Sequence, residues 1–232
     1  VLLLGGAFSR YEGKHFGELI WGEYAIPTGF RYYNNDANKQ DANLFGKIDL
    51  HFRKGLSTFI DLQYRHIWYT FLGFDQNRNN VEQSAKMNFF NPKLGLNWTI
   101  QPQVAAYAFW GVGHREPNRD DFTQSTPASR PRAERLFDWE AGLRINKAIW
   151  TTTINFFYMD YRDQLILDGR INDVGAYTRT NVPRSYRAGL EVETSLHLHS
   201  AFRLSGSAAF SKNKAQTFTA FQDNWDSGEQ DI

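Results

Sequence analysis

The feature that most constrains this chain is a strict two-residue alternation of apolar and polar side chains. It is clearest in residues 190–210, LEVETSLHLHSAFRLSGSAAF. Leu190, Val192, Thr194, Leu196 and Leu198 take the even positions, and Glu191, Glu193, Ser195, His197 and His199 the odd ones. After a turn the pattern resumes, with Phe202, Leu204, Ala208 and Phe210 against Arg203, Ser205, Ser207 and Ser211. Successive side chains on a strand point to opposite faces, so the stretch predicts a hairpin with one apolar and one polar face. The same alternation recurs at 44–53, 58–68, 93–100 and 139–147. The run 104–112 is apolar on both faces, and 152–167 changes character after Tyr158.

The connections narrow the choice further. Tight turns fall at Arg53–Leu56, Gln101–Gln103, Lys147–Ile149 and His199–Ala201. Between them lie long polar stretches at 10–40, 71–86, 114–134, 168–185 and 214–232. This predicts an all-β antiparallel meander of nine long strands, at 1–9, 42–53, 56–70, 87–100, 103–115, 135–147, 149–167, 185–199 and 201–213. Most of these runs are about 11–16 residues, against about 5–6 for a usual strand. About 9–11 tilted residues suffice to cross a bilayer. Long strands with tight turns at one end and long connections at the other are the layout of an outer-membrane barrel. The apolar face of 190–210 is then expected to look outward at lipid, with Glu191, Glu193, His197 and His199 inside. On that expectation Leu196→Arg costs roughly 2–4 kcal/mol near the midplane and less near an interface.

Composition agrees with this layout and removes other classes. The net charge is +1, which gives no electrostatic case for nucleic acid. There is no cysteine for a disulfide scaffold or thiolate metal site. Mean hydropathy is −0.55, and no apolar run approaches the ~18 residues of a membrane helix. A barrel remains open, because only every second residue need be apolar. The aromatic content of 16% suits interfacial girdles as well as an aromatic-rich soluble core. The opening VLLLGGAF lacks the basic region and cleavage site of a signal peptide and reads as a strand entered part-way. Bacterial single-chain barrels close with an even number of strands. Nine strands therefore predict that residues 1–232 are one barrel segment, unable to transport anything alone.

Several stretches resemble the TonB-dependent outer-membrane receptors. SRYEGKHFGELIWGEY (9–24) is similar to the family's first long loop. DLQYRHIWY (61–69) and MNFFNPKLGLNW (87–98) resemble its barrel strands, and GVGHREPNRDDF (111–122) a strand end opening a loop. RAERLFDWEAGLR (132–144), NFFYMDYRDQLIL (155–167) and NVPRSYRAGLEVE (181–193) complete the set. The resemblance implies a 22-stranded barrel in the outer membrane of a Gram-negative bacterium, filled by a plug domain. It implies import of a scarce nutrient, by default an iron chelate such as a siderophore, driven by TonB acting on the plug. The implied partners are the rest of the barrel and plug, TonB, a small-molecule ligand, membrane lipid and lipopolysaccharide. The plug, the TonB box and the closing strands are not among these residues. A passive porin or a secreted β-sheet binding module is the other reading of the same strands.

The expected ligand-facing residues lie in the long connections: Arg31, Tyr32, Tyr33, Arg115, Glu116, Arg119 and Asp120. Tyr32 and Tyr33 suit stacking on a ligand or an interfacial girdle equally, whereas Trp68 and Tyr69 suit the girdle. Glu191, Glu193, His197 and His199 share a face and could hold a metal, but a polar lumen wall explains them better. Arg130, Arg132 and Arg135 suit an anion patch or, better, a solvated loop base. GVG at 111–113 lacks the third glycine and helix of a nucleotide loop, and no nucleophile elbow is present. Asp120 with Asp121, and Asp160 with Asp163, are carboxylate pairs without a substrate pocket. The expectation is no enzyme, no cofactor and no metal site.

Overall fold

A computed structural model describes residues 1–23, 27, 29–74, 80, 82–123, 125, 130–171, 177–199, 201–224 and 229–231. Nine long strands form one path: β1 (Leu2–Leu19), β2 (Phe30–His51), β3 (Leu56–Phe71), β5 (Gln83–Gln101), β6 (Val104–Arg115), β7 (Glu134–Asn146), β8 (Trp150–Ile171), β9 (Tyr177–His199) and β10 (Phe202–Ala215). The short β4 (Gly73–Phe74) pairs with β2, and β11 (Gln222–Asn224) pairs with β12 (Glu229–Asp231). The helical pieces among the described residues are a 3-10 turn at Arg53–Gly55 and α1 (Arg119–Thr123).

The expected strand count holds, but the strands are longer than expected at one end. Residues 10–19, expected as a loop, belong to β1, and Arg31, Tyr32 and Tyr33 stand on β2 rather than in a connection. The stretch 168–185 is mostly the ends of β8 and β9. The reason is physical. Alternation marks where one face meets an apolar medium, whereas the backbone ladder continues wherever a neighbouring strand can pair with it.

The chain divides into two compact units, one comprising 1–4, 46–62 and 90–232 and the other 5–45 and 63–89. In the first, β5 to β10 pair antiparallel in sequence, with register shifts near strand ends at Thr99–Gln101, Leu167–Ile171 and Phe202–Arg203. Leu96, Ala108, Ala141, Phe156 and Leu190 lie on the same face, as do Leu143, Ile154 and Val192 one level away. Glu191, Glu193, Asn155 and Thr153 share the other. The apolar face carries no second sheet among the described residues, and Phe156 (58%) and Phe210 (68%) are strongly exposed. A row of rings crosses it: Trp139 lies 5.7 Å from Tyr158, and Tyr158 lies 6.0 Å from Tyr186. Trp110 pairs directly with Trp139. Trp150 sits lower on the same face, opposite Leu196. Leu196 is therefore near the tight-turn end and away from the middle of the stripe.

The tight turns share one end of this unit. Asn146 N–H donates to Gln103 O (2.8 Å), linking two of them, and His197 N–H donates to Ile149 O (2.8 Å). At the β2–β3 turn, Lys54 (φ 66°) and Gly55 (φ 74°) are left-handed in succession. A side chain on Gly55 would also meet Thr99 at 3.0 Å. The fourth turn includes Ser200, outside the described residues. The connection 116–133 leaves β6 at the opposite end from Gln101–Gln103, as expected.

The second unit has its own buried side chains: Ala37, Ile67, Tyr69, Phe71, Ala85 and Phe89. Arg65 grips Asp41 through both carboxylate oxygens, with its Nε 3.0 Å from each. Trp68 is exposed beside Lys86 Nζ (4.9 Å), as a girdle residue would be. Tyr69 is not one: it is buried, with its ring 4.7 Å from Phe71. Adjacent strand residues face opposite ways, so only one of this pair can lie on the exposed face.

Candidate functional site

Each unit contributes its own candidate residues. In the first, β6 ends at Arg115 and the chain enters α1 through Asn118. Asn118 Oδ1 accepts from Asp121 N–H (2.8 Å), and Asn118 N–H donates to Asp121 Oδ2 (2.8 Å). This reciprocal cap satisfies orphan donors at the start of the one-turn helix. Asp121, nearly buried, also pairs with Arg179 Nη1 of β9 (3.1 Å). Phe122 is buried, and the Arg130 guanidinium lies 5.4 Å from its ring centre. Further along, Arg132 N–H donates to Asn181 Oδ1 (2.8 Å) and Arg132 Nη2 reaches Asp163 (2.6 Å). Asn181 Nδ2 returns to Arg132 O (3.0 Å). The described parts of the connection thus dock as a cap on β8 and β9.

This docking sorts the expected residues. Arg115 pairs with the buried Glu134 (3.4 Å) and donates to Leu165 O (3.2 Å), so it also braces β8. Arg119 contacts Asp120 (3.6 Å), and Asp120 is largely exposed. Arg115, Glu116, Arg119 and Asp120 fall within six residues and so share a region. The sequence singled out Asp120 but missed Asp121 and Asn118 as the residues that hold the cap. The Asn-x-x-Asp spacing was the available signal. In the second unit, the Arg31 guanidinium lies 3.9 Å from the Phe16 ring centre, 3.8 Å from Glu18 and 3.1 Å from Asn34 Oδ1. Tyr32 and Tyr33 meet edge to face at 5.1 Å, with Tyr32 exposed.

The polar face of the first unit carries a second arrangement. Tyr107 Oη donates to Asn155 Oδ1 (2.8 Å), two strands away, and Asn155 Nδ2 donates to Glu140 (3.3 Å). The phenol can reach because Gly142 lies between: a Cβ there would come within 2.6 Å of its ring. The Arg144 guanidinium lies 4.4 Å from the Tyr107 ring centre. Tyr107, Glu140 and Arg144 edge a depression of about 320 Å³ that also includes Asp49, His51, Phe59 and Asn97. The depression belongs to the tight-turn half of the strands.

Two clusters weighed from the sequence do not form. No group of three His, Asp or Glu among the described residues is close enough to hold a metal. His197 stands opposite Arg203, whose Nε donates to Ser195 Oγ (2.6 Å). Arg130, Arg132 and Arg135 diverge: the first two hold the cap, and Arg135 opens β7 beside the Phe137 ring (5.9 Å).

A family of TonB-dependent receptor-like β-barrels matches residues 3–231, and the chain belongs to it. No curated protein sequence matches. Among solved structures, the copper transporter OprC is 14% identical with a TM-score of 0.70, over 92% of this chain and 35% of that one. The ferric-catecholate import receptor Fiu of E. coli K12 is 13% identical with a TM-score of 0.69, over 98% and 36%. The ferric yersiniabactin uptake receptor FyuA of Yersinia pestis is 13% identical with a TM-score of 0.64, over 93% and 32%. The chain thus spans about a third of the length of each. At these identities the likeness is one of fold, and the fold is a segment of receptor barrel. The family is one of outer-membrane receptors and transporters rather than enzymes.

Proposed function

We propose that the chain is a wall segment of a ligand-gated receptor importing a scarce nutrient across the outer membrane of a Gram-negative bacterium. The complete molecule would be a 22-stranded barrel around a plug, with TonB engaging the plug from the periplasm. One observation carries this reading: the family match runs through strands that keep one face apolar and bare beneath a row of rings. An iron chelate such as a siderophore is the favoured ligand, supported by the ferric-chelate receptors among the similar folds. Arg31, Tyr32, Tyr33, Arg115, Glu116, Arg119 and Asp120 form the ligand-facing set. Asp120 and Tyr32 are exposed members of that set.

The test is energised uptake by the complete receptor in cells with and without TonB, offered ferric siderophores and copper in parallel. Uptake of a ferric chelate that stops without TonB is the expected result. Uptake that persists without TonB would make the protein a passive pore. Replacing the charged residues of 116–120 with neutral ones is expected to weaken chelate binding. Unchanged affinity would remove that connection from the site.

A further inference from the structure

Three rings interrupt the polar face of the first unit, and each meets a glycine of the neighbouring strand. Tyr107 on β6 stands directly opposite Gly142 on β7, and Phe157 on β8 directly opposite Gly189 on β9. A Cβ on either glycine would come within 2.6 Å of the ring. Phe59 on β3 lies over Gly95 on β5, the next strand of the sheet. The three atoms nearest to a Cβ at Gly95 all belong to that ring. Thr58 Oγ1 donates to Gly95 O (2.7 Å) and joins the two strands at the same point. The second unit repeats the arrangement at Gly5, where a Cβ would meet the Phe45 ring at 2.5 Å. Gly113, opposite Leu136 on the polar face, differs: nothing lies within 4 Å of its Cβ position.

A glycine inside a strand weakens it, and a ring on a polar face leaves apolar area uncovered. Set against each other, the two defects cancel. A strand side chain ordinarily stands roughly perpendicular to the sheet. Beside a residue without a Cβ, the ring can fold over the neighbouring backbone and bury its underside there. The alignment this selects is one that alternation leaves open. A one-residue slip sends every side chain to the wrong face, but a two-residue slip keeps every face correct. Slipped by two, Tyr107 would face Glu140 or Arg144 instead of Gly142, and Phe157 would face Arg187 or Glu191 instead of Gly189. Each of those positions carries a Cβ and a long side chain where the ring must lie.

We propose that Gly95, Gly142 and Gly189 are register keys: each seats the ring of its neighbouring strand in one alignment and rejects the two-residue slips that the apolar–polar pattern permits. The keys act within the sheet and do not depend on which nutrient the receptor carries.

The experiment refolds the complete receptor from urea into lipid vesicles. The 232 residues hold no cysteine, so introduced pairs report register. Thr152 and Thr194 are directly opposite, with their hydroxyls 2.7 Å apart. A Thr152→Cys/Thr194→Cys pair therefore marks the native alignment, and Thr152→Cys/Leu196→Cys marks a slip of two. Replacing the ring by Phe157→Thr is expected to raise the slipped disulfide formed during refolding roughly 5-fold. An unchanged slipped fraction would overturn the proposal. The second arm is a double-mutant cycle at the seat. Gly95→Ala should lower the folded-to-unfolded ratio roughly 10-fold at fixed urea. In a Phe59→Ala background the same change should have little effect. Equal losses in the two backgrounds would overturn the seat, as would a loss at the open Gly113→Ala that matches Gly95→Ala. Where Gly95→Ala fails to fold at all, heat-modifiable migration regained by Phe59→Ala/Gly95→Ala upholds the seat, and its absence overturns it.

Discussion

The β8–β9 hairpin changes its chemistry part-way along its length. Between Trp150 and Tyr158, outward Ile154 and Phe156 stand beside Val192 and Leu190, with Asn155 and Glu191 on the opposite face. Beyond Asp160 the ladder continues with different side chains. Asn181 Nδ2 donates to Asp163 O (2.6 Å), Thr178 Oγ1 to Asp168 (2.7 Å), and Leu165 and Val182 are buried. On the proposed reading, the lower half leaves its apolar groups bare because the bilayer is their solvent. The upper half, in water on the same reading, gathers a small core of its own and fastens the described parts of the 116–133 connection over it. On that reading, stability within a single hairpin has two sources, one of which depends on lipid.

The largest effect that tests this contrast is a charge placed in the lower half. Ile154→Arg should destabilise the complete receptor by roughly 2–4 kcal/mol in lipid vesicles, measured by reversible denaturant unfolding. Leu196→Arg, at the level of Trp150, should cost only about 0–1 kcal/mol. Equal losses at the two positions would remove the depth dependence and with it the bilayer as solvent. Asp121→Ala should have an intermediate effect. It removes the reciprocal cap and the partner of Arg179, for about 1 kcal/mol. The loss should appear as faster hydrogen exchange at 118–123 and 130–133, with global unfolding in lipid almost unmoved. A matching drop in global stability would show that cap and belt are one cooperative unit. The smallest effect is expected from Leu167→Arg, an exposed position in the upper half, where a change within about ±0.5 kcal/mol is ordinary for a water-facing site.

The legibility of the sequence follows the same divide. Where one face is apolar and bare, the two-residue period is strong, so the turn ends of the strands, their number and their faces could be read directly. Where both faces meet water the period fades, which is why β1 and β2 reach past their expected ends at Ser9 and Ala42. Tyr69 escapes the sequence reading because neighbouring aromatics look alike in sequence, whereas the pleat sends them to opposite faces. Cross-strand groupings are the least legible. In sequence Arg135 groups with Arg130 and Arg132, but its spatial neighbours are Arg162 and Arg184. Only the register between strands reveals that.

Every long strand on the sheet path lies beside its sequence neighbour, apart from the short β4 that interrupts the count. For assembly this means that no strand must wait for a distant segment to arrive. The pairings joined by a tight turn, such as β2–β3 at Lys54–Gly55, can begin there and close like a zip, and the others close over connections of modest length, so the loop-closure entropy stays small. The left-handed pair at that turn then acts as a starting point for the β2–β3 pairing as well as a bend in the finished wall. A residue that resists positive φ at position 55 should slow the appearance of folded receptor more than it lowers its final stability.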